Sequence, residues 1–224
     1  MAEKVRLTRK DIKQPDEFIA LSTQAMDWAR AHQQLVIWTG AGLVGILVVV
    51  GIMTAYSGAR ERDANADLTR GLAKIEANNL SDASTDLIEV ANRWDGTTVA
   101  PLAGLLGANA ALKGGDADRA ITELTRLQSG SEHLPLFMQQ QLLVAWGAAL
   151  EQKEQWLDAA GKYKDAAVLS GPYTALAIVG EARTRERGGD ADRARELYRQ
   201  AYDQFPDLPD RDIIATKLPD APKA

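Results

Sequence analysis

Two copies of a Gly-Gly-Asp sequence are the residues of this chain that most resemble a chemical motif. They lie at Gly114-Gly115-Asp116 and Gly188-Gly189-Asp190, and a second aspartate follows each copy, at positions 118 and 192. Glycine-rich turns with carboxylates can bind phosphate or a metal ion. The same residues also fit a structural role, in which glycine ends one helix and aspartate caps the next. Because both copies occupy the same place in a repeated pattern, we favour the structural role.

Other groups that could carry out chemistry are missing from the sequence or isolated in it. The sequence has no cysteine, and its two histidines, His32 and His133, are far apart. It contains no G-x-S-x-G, Walker-type or H-E-x-x-H motif. We therefore expect no catalytic residue, no metal and no cofactor, and we interpret the chain as a binding protein rather than an enzyme.

The charge of the larger, C-terminal part argues against nucleic acid as a partner. Residues 57–224 carry 20 basic and 26 acidic side chains, a net charge near −6. Nucleic-acid-binding domains carry clustered positive charge. Here the two signs are mixed along the chain, so we expect protein partners instead.

Pairs of small residues recur after position 57 and indicate repeated helices. Ala83, Ala120, Ala159 and Ala194 are separated by 37, 39 and 35 residues, and a turn sequence precedes each of them. A small residue also lies twelve positions earlier, and leucine or tyrosine lies four positions later. Two helices can approach closely where a side chain is small. The earlier small residues are Gly71, Ala108, Gly147 and Ala182, and the later large ones are Leu87, Leu124, Tyr163 and Tyr198.

This spacing resembles that of tetratricopeptide repeats, whose unit is about 34 residues long. The last unit, GGDADRARELYRQAYDQFP, also has a second small residue at Ala201 and a closing proline at Pro206. The resemblance covers roughly residues 64–206. It implies an all-α fold in which about four tetratricopeptide-like helical hairpins stack into an α-solenoid, because one hairpin cannot bury its apolar face alone.

Residues Leu35–Tyr56 are predicted to form a single transmembrane helix. These 22 residues include no charged side chain. At about 1.5 Å per residue they reach about 33 Å, enough for a hydrocarbon core of about 30 Å. Trp38 and Tyr56 suit the headgroup layers at the two ends. A buried core helix would normally carry a polar stripe, and a cleaved signal peptide would lie closer to the N-terminus.

Residues 1–34 are predicted to be a cytoplasmic tail with an amphipathic juxtamembrane helix. Pro15 suits the first helical position, and apolar residues follow it at helical spacing. The helix over Pro15–His32 either lies on the membrane surface or continues the transmembrane helix into water. Basic residues on the two sides of the span give only a slight preference for a cytoplasmic N-terminus. The apolar residues are Phe18, Leu21, Ala25 and Trp28.

The layout of the whole chain resembles a bacterial inner-membrane family, the YfgM-type ancillary subunits of the Sec translocon. The resemblance lies in the sequence KQPDEF at residues 13–18, the uncleaved span and the degenerate repeats that follow. It implies that the N-terminus is cytoplasmic and the repeat domain periplasmic. It also implies that the protein links the Sec translocon to periplasmic chaperones or their clients.

The repeat register selects candidate partner-binding residues. In tetratricopeptide arrays the first helix of each unit lines the concave face, and here those positions are mostly apolar in three units and charged in the fourth. Such a groove would suit an extended or helical peptide. The predicted groove residues are Leu68, Leu72, Ile75, Leu102, Leu105, Asn109, Leu112, Gln141, Val144, Val179, Arg183 and Arg187.

Two alternatives stay open at the level of sequence. Ile213, Ile214 and Leu218 could cap the last repeat, and the groove could be filled within the fold or by a second copy of the chain. The protein could also be a scaffold subunit of another envelope complex, of the secretion, motility or division machinery. The predicted divisions are 1–34 (tail), 35–56 (span), 57–206 (repeats) and 207–224 (cap and tail), with a disordered end at residues 219–224.

Overall fold

The computed structural model describes residues 22–24, 26, 28, 30–209 and 211–218, without the side chains of residues 35–41. Every regular element within these residues is a helix. The chain divides into two compact units, Met1–Ser57 and Gly58–Ala224. The all-α prediction is confirmed for the described part of the chain.

Nine α-helices and one short 3-10 turn are found among the described residues. The 3-10 turn, Ser131–His133, lies between the fourth and fifth helices. The helices are α1 (Gln33–Glu76), α2 (Leu80–Arg93), α3 (Val99–Lys113), α4 (Ala117–Gln128), α5 (Leu136–Gln152), α6 (Trp156–Val168), α7 (Thr174–Arg187), α8 (Ala191–Gln204) and α9 (Arg211–Thr216).

The N-terminal part of α1 is apolar around its whole circumference. From Leu43 to Tyr56 its large apolar side chains are between 50% and 66% exposed. Among the described residues, no face of this segment is buried. By length and composition, α1 is the one described helix that could cross a membrane. This is compatible with a single-pass membrane protein.

The residues before α1 are described only in part. Residues 22–24, 26, 28, 30 and 31 are helical. The rest of the juxtamembrane helix predicted over Pro15–His32 lies outside the described residues, as does the N-terminal part of the predicted tail.

The four turns that follow α1, α3, α5 and α7 have the same backbone geometry. One residue in each turn has a positive φ: 57° at Asn78, 83° at Gly115, 57° at Glu154 and 92° at Gly189. In each turn the next residue donates its N–H to a carbonyl of the preceding helix at 2.9 Å. This pattern satisfies the carbonyl groups at a helix end. The donor–acceptor pairs are Asn79 and Lys74, Asp116 and Ala111, Gln155 and Leu150, and Asp190 and Arg185.

The Gly-Gly-Asp sequences therefore have a structural role. Gly115 and Gly189 are the positive-φ residues of their turns. The Asp116 carboxylate accepts a hydrogen bond from the backbone N–H of Arg119 at 3.0 Å, and Asp190 accepts one from that of Arg193 at 3.4 Å. Both aspartates act as N-caps, which satisfy free donors at the start of a helix.

Small residues bring the helices of each hairpin into contact. The paired small residues selected from the sequence are all buried. A Cβ atom added to Gly71 would lie 2.5 Å from a methyl carbon of Leu87, and one added to Gly147 would lie 2.9 Å from the ring of Tyr163. Each helix from α2 to α8 packs on the next one, and α3 also contacts α5, as α5 contacts α7.

Three clusters of buried side chains form the core of residues 58–218. The first joins α1, α2 and α3 around Leu68 and Leu87. The second joins α3, α4 and α5 around Leu124. The third joins α7 and α8 to the C-terminal segment, whose Ile214 and Leu218 are 2% and 6% exposed. The predicted disordered end, residues 219–224, lies outside the described residues.

Candidate protein-binding surface

Three of the predicted groove residues lie in the hydrophobic core. Leu68, Leu105 and Leu112 are only 7%, 2% and 7% exposed. A partner would not reach their side chains, so they support the surface rather than form it.

Six further predicted groove residues keep some accessible surface. Leu72 and Ile75 are half-buried against the first core cluster. Leu102 is 39% exposed. Asn109, Gln141 and Val144 are half-buried on the corresponding faces of α3 and α5. These residues offer narrow patches of side chain to a partner.

The last three predicted groove residues come together on the fourth hairpin. Val179, Arg183 and Arg187 line a cleft of about 320 Å³, together with Ile213 and Lys217 from the C-terminal segment. Arg187 also lies over the ring of Trp156, with its guanidinium carbon 5.3 Å from the ring centroid. The register therefore selected residues that share one site, although it did not include the C-terminal segment.

A charged cluster fixes Arg183 in this site. Its Nε and Nη2 atoms donate to the two carboxylate oxygens of Glu151, each at 2.7 Å. The Tyr163 hydroxyl donates to the same carboxylate at 3.2 Å. The hydrogen bond with Glu151 raises the pKa of Arg183, and burial raises the pKa of Tyr163. Arg183 thus stays charged and Tyr163 neutral across the physiological range.

The same arrangement recurs one unit further along the chain. The Tyr198 hydroxyl donates to Glu186 at 3.1 Å, and the Lys217 ammonium donates to both oxygens of Glu186 at 2.8 and 3.1 Å. The hydrogen bond from Lys217 lowers the pKa of Glu186, and burial raises the pKa of Tyr198. Lys217 therefore takes the place that Arg183 holds in the preceding unit.

A larger, mostly apolar cleft adjoins this site. It has a volume of about 600 Å³ and lies between the start of α7 and the segment that follows α8. Val179 and Ile214 line both clefts. Asp207 is the only charged residue among its described lining residues. Its other main lining residues are Pro172, Tyr173, Leu176, Phe205, Pro206 and Leu208.

A buried amide positions one wall of the larger cleft. Gln140 on α5 is fully buried, and its Nε2 atom donates to the Ala166 carbonyl and the Thr174 hydroxyl, each at 3.0 Å. Its Oε1 atom accepts from the backbone N–H of Tyr173 at 2.9 Å. All three hydrogen bonds of the Gln140 side chain are made to residues at the end of α6 or the start of α7. Gln140 therefore fixes where α7 begins.

Sequence reasoning missed the partners of the charged clusters. Glu151 and Lys217 were not among the predicted site residues, although they hold Arg183 and Glu186. The sequence did contain a signal for Glu151. A glutamate lies twelve positions before the tyrosine in each of the last two units, as Glu151 does before Tyr163 and Glu186 before Tyr198. No comparable signal marked Tyr173 or Phe205.

Comparison with known proteins does not assign this chain to a family. No protein-family model matches the chain, and no curated protein matches it either. Within the described residues, no group of three or more His, Cys, Asp or Glu side chains could hold a metal ion. The sequence resemblance to the YfgM-type family stays a prediction.

Proposed function

We propose that this protein is a membrane-anchored adaptor that binds other proteins through a tetratricopeptide-like domain. The observation that carries the proposal is the common geometry of the four turns, each with a positive φ at the same position of the unit. A repeated backbone unit supports an array of similar hairpins, and such arrays present extended surfaces to protein partners. The α-solenoid arrangement is part of this proposal.

The proposed anchor is the apolar part of α1, from Leu35 to Tyr56. Its exposed apolar side chains support contact with lipid, because no part of the described protein covers them. We place the chain in the bacterial inner membrane, with the N-terminus in the cytoplasm and the repeats in the periplasm. This placement rests on the sequence resemblance to the YfgM-type family.

The proposed role is to link the Sec translocon to periplasmic chaperones or their clients. An anchor beside the translocon would raise the effective concentration of the repeat domain there, without requiring tight binding to each client. The clefts of the fourth hairpin support binding of a peptide or helix, since they combine apolar walls with Arg183 and Arg187.

Photo-crosslinking in cells tests this function. A photoreactive residue would be placed at Val144 and at Val179 on the predicted binding face, and at Gly45 in the span, where no described atom lies within 4 Å of an added Cβ. Glu196, a surface residue of α8 with a 66% exposed side chain, is the matched control position. Captured proteins would be identified by mass spectrometry.

We expect translocon subunits at Gly45, and chaperones or secreted clients at Val144 and Val179 but not at Glu196. Capture of one fixed envelope complex at all positions would instead favour the scaffold role. A reporter that is active only in the periplasm, fused after Ala224, tests the orientation. An inactive reporter on a stably expressed fusion would refute a periplasmic repeat domain.

A further inference from the structure

The C-terminal helix α9 occupies the position that the first helix of another hairpin would have. An offset of 34 positions relates Arg183 to Lys217, which make equivalent ion pairs with Glu151 and Glu186. The same offset relates Gly180 to Ile214. Gly180 packs against Tyr163, and Ile214 is in the core cluster of Tyr198. The C-terminal segment therefore has the register of a repeat helix.

This helix is too short to cover the surface on which it lies. It has 6 residues, whereas α7 has 14. The larger cleft lies beside the N-terminal half of α7, next to Tyr173 and Leu176. That is the region which two further N-terminal turns of α9 would approach. Part of a helix-binding surface is thus filled by α9, and the rest is the open cleft.

Two buried side chains and polar contacts at its two ends hold α9. At its start, the Arg211 guanidinium lies 3.7 Å from the centroid of the Tyr202 ring and donates to the carbonyls of Tyr202 and Phe205. Ile214 and Leu218 are buried, but Ile213 is 62% exposed. The side chains of Lys217 and Glu186 are 41% and 37% exposed. Exposed ion pairs contribute little to stability, because water screens them and two flexible side chains must be ordered. A longer helix would bury more apolar surface than α9 does.

We propose that this surface accepts an amphipathic helix of a partner protein, which displaces α9 and also fills the larger cleft. The helix would have two apolar residues four positions apart, as Ile214 and Leu218 are, and a basic residue directly before the second one, to pair with Glu186. Two preceding turns would carry apolar side chains for the cleft. This proposal rests on the proposed protein-binding function and names the kind of segment that is bound.

A synthetic peptide with the chain's own Pro172–Gly188 sequence is a suitable probe. It contains the full length of α7, with Arg183 in the required register. Two replacements in the peptide, Gly180→Ile and Thr184→Leu, supply the apolar residues at the positions equivalent to Ile214 and Leu218. Binding of the labelled peptide to the purified full chain in detergent micelles would be measured by fluorescence anisotropy. Hydrogen exchange followed by mass spectrometry would report on residues 211–218. We expect binding to increase the exchange of these residues, because the peptide replaces α9.

Receptor variants test whether α9 competes with the peptide. Ile214→Asp together with Leu218→Asp should release α9 and tighten peptide binding by about tenfold or more, because the binding-competent state becomes more populated. Lys217→Glu is the milder variant, for use if circular dichroism shows that the double variant has lost helix. On the peptide side, Arg183→Glu should weaken binding by about tenfold, since it places a second carboxylate opposite Glu186.

The matched control is Glu132→Gln in the full chain. Glu132 lies in the 3-10 turn and its side chain is 68% exposed, so losing this carboxylate should leave peptide binding unchanged. The proposal is overturned if the folded variants bind the peptide no better than the unaltered chain does. It is also overturned if peptide binding leaves residues 211–218 protected, or if the released variant only associates with itself. These measurements use the purified chain. A negative result here would refute the displacement of α9, whereas a failure to capture partners in cells would refute the adaptor function.

Discussion

Replacing Gly180 with alanine should destabilise the protein although alanine favours a helix. A Cβ at Gly180 would lie 2.7 Å from two ring carbons of Tyr163. The ring cannot move away, because its other side packs on Gly147, where an added Cβ would lie 2.9 Å from it. Tyr163 is also 3% exposed. The added methyl group therefore has no space.

The expected size follows from two opposing effects. Overpacking of a well-packed core costs about 1–3 kcal/mol. Alanine in place of glycine in a helix contributes about 1 kcal/mol in the other direction. We expect a net loss of up to about 2 kcal/mol, which for a domain of this size lowers the melting temperature by up to about 8 °C.

Thermal unfolding of the full chain, followed by circular dichroism at the helix band, measures this loss. Gly161→Ala is the matched control, because it lies in α6 with no atom within 4 Å of an added Cβ, and it should stabilise the protein. In a Tyr163→Leu background the same Gly180→Ala change should cost less than it does in the unaltered chain, since the smaller side chain leaves room for the methyl group. A Gly180→Ala variant as stable as the Gly161→Ala variant would refute the packing argument.

Three other changes have defined outcomes. Glu154→Gly should stabilise the protein by about 0.5–1 kcal/mol in thermal unfolding, because Glu154 has a φ of 57° that glycine adopts more easily; no gain would mean that the turn is not strained. Gln140→Leu should cost about 1–3 kcal/mol in urea unfolding, since it removes the hydrogen bonds that Gln140 makes with the Ala166 carbonyl and the Tyr173 N–H, whereas the Thr174 hydroxyl keeps its bonds with Gly171; a neutral result would show that the region rearranges. Burial raises the pKa of Tyr163, so its contribution to stability is complete below about pH 10 and declines as the pH rises further; Tyr163→Phe should flatten that decline in a pH series of unfolding curves.

The local architecture could be predicted from the sequence because it depends on residue types at fixed spacing. The small residues at Gly71 and Ala83 identified a close contact between helices, and the Gly-Gly-Asp turns carried their own capping signal. The third turn carried no such signal, because glutamate at position 154 rarely adopts a positive φ. Its position in the repeat identified it instead.

The binding face could be predicted less well, because the repeat pattern does not show how deeply each side chain is buried. The register identifies which side of a helix a residue lies on, but not how closely the next helix approaches. Leu105 and Val144 occupy equivalent positions, yet Leu105 is 2% exposed and Val144 is half-buried. The role of Lys217 was also hidden, because α9 is short and the turn before it contains Pro206 and Pro209, unlike the turns between the paired helices.

The 34-position offset of α9 has a consequence for how this domain could change in length during evolution. The segment between Gln204 and Arg211 joins a complete hairpin to a helix that already has the register of another one. A unit duplicated at this junction would pack between two compatible helices. Glu186 would lie before it and Lys217 after it, so both charged residues could still form equivalent ion pairs. The number of hairpins is therefore easier to alter here than elsewhere in the chain, and natural variants with one unit more or fewer should differ first at this junction.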